Sequence, residues 1–242
     1  MITMLEGDGE VRRINRKELT RKEIIRVAAN CFLKDGYSKT TINAICKTLK
    51  MSPGNLTFHF PTKEHLLAEL VGMLCKYQQK MMEEELKEGY SSVMVVCLEF
   101  LTIASACEQD EIAKEFFLAS YTSPLSLERI RKSDIERAKR VFRDYCLEWT
   151  NEKFEAAETL VSGIEYATLQ TTSTSAPLEL RIREALGLIL NLYHVPAEIR
   201  KQKIEKILSL NYMELGMRVL AGFRDYVEIE TEQALLELLV KK

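Results

Sequence analysis

Alternating apolar and polar residues, the mark of a half-buried strand, are almost missing from this sequence, and its 242 positions hold only 10 glycines and 5 prolines. Leu, Glu, Lys and Ala dominate instead, so an all-α protein is expected. Histidine occurs 3 times, at His59, His65 and His194, too scattered for an HExxH or related metal motif. There is no GxSxG elbow and no glycine loop to cradle phosphates, so an enzyme would have to assemble its site by folding alone. The 6 cysteines (Cys31, Cys46, Cys75, Cys97, Cys107 and Cys146) never form a CxxC pair. They read as reduced, mostly buried thiols of a cytoplasmic protein. The opening MITMLEGDGE lacks a basic start followed by an apolar run, so it is not read as a secretory signal, and residues 1–14 are expected to be a flexible arm. The most membrane-like stretch, from Gly89 to Cys107, carries Glu99 at its centre. A buried core helix explains it better than a membrane span. No catalytic group, cofactor, metal or membrane is expected.

Charge is unevenly spread. Between Glu10 and His65 stand 12 lysines and arginines against 5 aspartates and glutamates, a balance of +7 in a chain whose net charge is −2. A basic end on an acidic body points to a polyanionic partner for that end.

That end also carries the densest helix punctuation. In TRKE, Thr20 and Glu23 form a capping box for a helix running to Asp35, with Ile24, Ala28, Phe32 and Ile25, Ala29, Leu33 facing inward and Gly36 as its stop. Thr40 or Thr41 caps a second helix that buries Ile42, Ile45, Cys46 and Leu49. Ser52 caps a third, with Pro53 at its first position, where the missing N–H costs nothing. Pro61 ends it, and Thr62 caps a fourth helix. Two short helices joined by a tight turn, with a third in front, make a helix-turn-helix unit.

On the third helix, successive residues lie 100° apart, so Leu56 and Phe60 share one face while Gly54 and Phe58 lie nearly opposite, flanked by Asn55 and Thr57. In a major groove Gly54 permits close approach, Asn55 pairs with an adenine edge or a phosphate, Thr57 hydrogen-bonds and Phe58 packs on a thymine methyl. The plainer alternative tucks Phe58 under the first helix and leaves Asn55 merely solvated. Lys63 with the start of the fourth helix, and Thr40, Ser52 and His59, are candidate phosphate donors, His59 being equally readable as a core-edge residue. Arg12, Arg13, Arg16 and Lys17 are either a phosphate-tracking arm or a solvated charge run.

The stretch IIRVAANCFLKDGYSKTTINAICKTLKMSPGNLTFHFPTKEHLL resembles the DNA-binding domain of the TetR (tetracycline repressor) family of transcriptional regulators. Ala28, Phe32, Gly36, Tyr37, Thr40, Thr41, Ile45, Leu56, His59, Phe60, Lys63, Glu64 and Leu66 stand in that family's places. The resemblance implies phosphate contacts from Thr40, His59 and Lys63, and base or backbone contacts from Ser52, Gly54, Asn55 and Phe58. Two departures stand out: Thr57 where the family places tyrosine, and Lys50-Met51 in a turn that is usually small and glycine-containing. For the remainder, the resemblance implies a helical body that dimerises through two late helices and encloses a small-molecule pocket. The domains expected are therefore residues 15–66 for DNA and 67–242 for effector binding and dimerisation.

Six or so further helices fit between breaks at Glu88 to Ser92, Ser123-Pro124, Thr150-Asn151, Thr171 to Pro177 and Val195-Pro196. A stripe at Leu208, Tyr212, Leu215, Val219, Phe223 and Tyr226 suits a core, a subunit interface or both. Glu99, Tyr121, Trp149, Glu165, Tyr166, Gln170 and His194 are polar or aromatic groups among core-like neighbours, candidates for an effector cavity, with core packing or a satisfied salt bridge the plainer explanation of each. Met81 and Met82 are readable as adaptable lining or gap filling. The function expected is a homodimeric repressor released from a palindromic operator in double-stranded DNA by a small-molecule effector. Two alternatives are a DNA-bound architectural or division-linked protein with a protein partner, and a helical enzyme with a chance resemblance; a redox sensor using Cys75 or Cys107 is a variant.

Overall fold

The structure, a computed structural model, describes residues 16–240, and all regular structure among them is helical. The helices are α1 (Arg16–Asn30), α2 (Ile42–Leu49), α3 (Pro53–His59), α4 (Lys63–Lys87), α5 (Ser92–Gln109), α6 (Glu111–Thr122), α7 (Pro124–Val141), α8 (Asn151–Leu169), α9 (Leu178–Leu192), α10 (Ala197–Leu208) and α11 (Tyr212–Val240). The arm expected at residues 1–14, with Arg12 and Arg13, lies outside the described residues.

α1 to α3 close around Ile24, Ala28, Phe32, Ile45, Leu56 and Phe60, all buried. Thr20 is not a cap: α1 already includes Arg16, because Arg16, Lys17, Glu18 and Leu19 are good helix formers and carry the helix past it. The last turn, Cys31–Asp35, widens into a π-helix before Gly36 turns the chain at φ +99°. α4 begins at the α1–α3 unit and runs into the body.

α5 is the central post of the body. It is long and apolar enough to cross a membrane, yet its residues from Val93 to Cys107 are mostly buried, among α4, α6, α8, α9, α10 and α11. Two breaks fall where helical periodicity continues in the sequence. Asp110 accepts from the N–H groups of Ile112 (2.8 Å) and Ala113 (3.1 Å) and so starts α6. Ser209 to Asn211 separate α10 from α11, which puts Leu208 on a different helix from the rest of its stripe. Of that stripe Phe223 alone is fully buried, packing on Tyr77 and Phe116, while Leu215, Val219 and Tyr226 are half-buried; the core face that α11 lays along α5 is Leu220, Phe223 and Val227.

α11 also reaches the first domain, running beside α1. Arg224 donates to the Leu33 carbonyl at 2.6 Å, Arg26 pairs with Glu228 at 3.4 Å, and from α6 Glu115 accepts from the Ser38 N–H at 2.6 Å. On the other side Glu69 of α4 holds both Arg21 of α1 (2.9 Å) and Arg129 of α7 (3.2 Å).

Candidate nucleic-acid interface

Each short helix of the N-terminal unit is started by its own side chain. Thr41 accepts from the Ala44 N–H at 3.1 Å, and Ser52 from the Asn55 N–H at 3.2 Å. The turn between them passes through Lys50 in the left-handed region (φ +51°), with the Met51 N–H returning to the Cys46 carbonyl at 3.0 Å. This is an αL stop for α2, built on lysine where glycine fits most easily.

The outer face of α3 is open. Leu56 and Phe60 are buried while Pro53, Gly54, Asn55, Thr57 and Phe58 are exposed, Phe58 by 68%. Phe58 is therefore not tucked under α1; the Lys17 ammonium stands 5.1 Å over its ring, which places positive charge beside an exposed aromatic. A Cβ on Gly54 would meet nothing within 4 Å, so the space above it is free for a partner. The Thr57 hydroxyl donates back to the Gly54 carbonyl at 3.2 Å and keeps its lone pairs for an incoming donor.

Of the four candidate phosphate donors, Ser52 is the exposed cap of α3, and the three that the resemblance implies are more occupied than the sequence suggests. Thr40 is buried and its hydroxyl donates to the Gly36 carbonyl at 2.8 Å, so that proton serves the α1–α2 loop rather than a partner. Lys63 donates to the carbonyls of Tyr37 (3.0 Å) and Thr40 (3.1 Å) and lies 4.1 Å over the Tyr37 ring, which leaves one N–H to give. His59 is held neutral: burial, then the charges of Lys17 and Arg21, push its pKa down. Its Nδ1 is buried without a partner, and its carbonyl accepts from Arg21 at 3.2 Å. A neutral imidazole has a single N–H to offer a phosphate.

Of the seven residues expected at an effector site, Glu99, Tyr121 and Glu165 meet in the body and the other four, Trp149, Tyr166, Gln170 and His194, do not. Glu99, Tyr121 and Glu165 surround a cavity of about 40 Å³ together with Asp134 and Arg137, which the sequence reading missed. Arg137 binds Glu99 at 2.6 Å and Asp134 at 2.8 Å, and the Tyr121 hydroxyl donates to Glu165 at 2.9 Å. The Tyr193 hydroxyl donates to Glu158 nearby. Burial raises the pKa of Asp134, Glu158 and Glu165, with neighbouring carboxylates adding to it. Trp149 belongs instead to an aromatic cluster with Phe154, Tyr193 and His194, while Tyr166 lies 6.5 Å from the Tyr121 ring and Gln170 is exposed at the end of α8. Met81 and Met82 line an apolar slot of about 60 Å³ between α4, α5 and α11. The redox reading finds no reactive thiol: burial pushes Cys75 up to about 12, and Cys107 is raised as well.

Comparison with known proteins bears on this N-terminal unit. Residues 24–70 match the family model of bacterial regulatory proteins, tetR family. Over 68 residues the chain is 38% identical to the HTH-type transcriptional regulator QacR of Staphylococcus aureus, covering 28% of this chain and 36% of that one. The HTH-type transcriptional regulator UidR of Escherichia coli K12 is 36% identical over 52 residues, 22% of this chain and 26% of its own. The match thus spans only about a third and a quarter of these relatives. Among solved structures, Thermus thermophilus FadR, a TetR-family transcriptional repressor crystallised with lauroyl-CoA, aligns over 73% of this chain and 96% of its own, at a TM-score of 0.56 and 19% identity. That likeness establishes the two-part helical fold.

Proposed function

We propose, from an N-terminal segment that belongs to the TetR family of regulators, that this chain is a sequence-specific DNA-binding transcriptional repressor and not an enzyme. Residues up to about Leu66 bind the operator, and the body from there on dimerises and senses a small-molecule effector in the cytoplasm. One observation carries the reading: a doubly capped helix-turn-helix whose α3 buries Leu56 and turns Gly54, Asn55 and Phe58 to solvent. An exposed phenylalanine on a seven-residue helix gains little in the free protein beyond the Lys17 ammonium over its ring and the edge of His59. It gains contact on a thymine methyl in a major groove, with Asn55 beside it for a base edge.

One recognition helix reads only a few base pairs, and two spaced ~34–36 Å apart read a palindrome. Support for a second copy comes from the outer faces of α8 and α9. Leu160, Leu180 and Leu188 are exposed there, and a Cβ on Gly163 or Gly187 would touch nothing, so a flat, partly apolar face is available for self-association.

A second reading has one observation in its favour: the cavities inside the body, of about 60, 40 and 20 Å³, have room for waters rather than for a drug-sized effector. In that reading the body binds another protein through the α8–α9 face. Sedimentation of the purified protein separates the two, a dimer without any partner assigning that face to a second copy.

The DNA reading is tested by binding to specific and random duplexes. Asn55→Ala and Phe58→Ala are expected to lose about 1–3 kcal/mol of discrimination between them while leaving random-duplex affinity nearly unchanged. Equal loss on both kinds of DNA would contradict the assignment of these two side chains to base readout.

A further inference from the structure

A cleft of about 760 Å³ opens between α4 and α7, outside the small cavities of the body. Arg21, His59 and Phe60 of the N-terminal unit line it together with Cys75 of α4 and Arg137 of α7. The volume falls in the range of small-molecule sites, roughly 300–1,000 Å³. Ala68, Met82 and Leu125 give it apolar lining.

The charges along this cleft are not balanced. Arg21 and Arg129 share the single carboxylate of Glu69. Gly72, one turn along α4, leaves the space Arg129 crosses, since a Cβ there would lie 2.7 Å from its Nη1. Lys132 and Arg140 are exposed on the cleft side of α7, and neither makes an ion pair or hydrogen bond among the described residues. Against them stand Glu128 and Glu136, and Glu136 is engaged by Lys139 at 3.0 Å. Positive charge is therefore in surplus over a partly apolar floor, where a cationic ligand would be repelled.

We propose that the α4–α7 cleft binds a small organic anion, its negative charge drawn by the row of Arg129, Lys132 and Arg140 along α7 and its apolar part against Leu125 and Ala68. This deepens the effector reading and, for its regulatory half, rests on it. Glu69 is the link that joins α1, α4 and α7. A ligand carboxylate or phosphate offers Arg129 and Arg21 a second acceptor and loosens that link. Arg21 also donates to the His59 carbonyl and lies 4.2 Å over Phe60, so any shift of its guanidinium is felt at the end of α3. The ligand thereby has a differential contact with the two states, which coupling requires.

The test uses anilinonaphthalenesulfonate, an anionic aromatic dye, titrated by fluorescence against the full chain, with inorganic pyrophosphate as competitor. The expected result is one saturable site that weakens at least ~10-fold in the double variant Lys132→Glu/Arg140→Glu and weakens with salt, but is unchanged in Lys201→Glu/Lys206→Glu on α10, a control carrying the same change in net charge. Both substituted α7 residues are exposed and unpaired, and a thermal melt checks that the fold is retained. Equal dye affinity in the double variant, or no saturable binding, would overturn the proposal. So would a double variant that binds dye normally but loses affinity for DNA, since its cations would then serve DNA phosphates. If dye fills the cleft and is displaced by pyrophosphate while duplex affinity stays constant, the anion site stands and release of DNA through it fails.

Discussion

Lys50 shows how much of this domain is decided residue by residue. Its αL conformation stops α2 and aims the chain at Ser52, and an L side chain there costs about 1 kcal/mol relative to glycine. Lys50→Gly is accordingly expected to raise the melting midpoint of the protein by an amount corresponding to roughly 0.5–1 kcal/mol, read by thermal or urea denaturation. A fall in stability would show that the lysine side chain contributes more than its backbone costs. At this scale some local signals were legible and others were not: Thr20 is passed over by α1, and Thr62 stands at the start of α4 with its hydroxyl on His65 rather than on a backbone N–H. Thr41, Ser52 and Pro53 act within one turn of themselves, and the outward turn of Phe58 follows from helical spacing alone. Thr40, Lys63 and His59 were not legible in the same way, because what occupies them, the Gly36 carbonyl, the Tyr37 loop and the charges of Lys17 and Arg21, is brought there by folding.

Among the elements, α11 is the one whose apolar stripe suits a core, an interface or both. The helix is laid against α5 so closely that a Cβ on Gly216 would come within 2.8 Å of the Ala106 nitrogen and the Thr102 oxygen. Backbone cannot give way as a side chain can. Gly216→Ala is expected to destabilise the protein by about 1–3 kcal/mol in denaturant melts, whereas Gly54→Ala, at a position facing open space, costs far less. Similar losses at the two positions would contradict this packing of α11 on α5. The breaks at Asp110 and at Ser209 to Asn211 were hidden for one reason: periodicity runs on across them, and only the cap at Asp110 leaves a local trace. The acidic cluster was hidden for another. Asp134 and Arg137 sit in SDIERAKR, which reads as a solvated charge run, and only the packing of α7 against α4, α6 and α8 turns it inward.

Across the whole molecule, that cluster ties stability to pH. Glu165 faces Tyr121 from α6, Asp134 and Arg137 from α7, and Glu158 on its own helix, and burial raises it well above the ordinary glutamate value of 4.5. Asp134 and Glu158 are raised in the same direction. A carboxyl whose folded pKa is raised holds its proton longer in the folded chain than in the unfolded one. Its contribution is fully present below the unfolded pKa and is lost as pH rises through the folded value. The melting midpoint is expected to carry a downward slope as pH climbs from about 5 to 8, and Glu165→Gln, which needs no proton, to flatten it. An unchanged slope in that variant would remove Glu165 from the explanation.

The same scale joins the basic N-terminal unit to an acidic body through Glu69, Glu115, Arg224 and Glu228, so a change in the body can reach α3. Everything functional rests on α3 reading DNA, and selection of bound duplexes from a random pool by the purified full chain tests it most directly. Enrichment of a palindrome, bound by two protomers with an affinity that falls steeply with salt, is the predicted result. A pool that stays random, with no duplex bound more tightly than its neighbours, would contradict it.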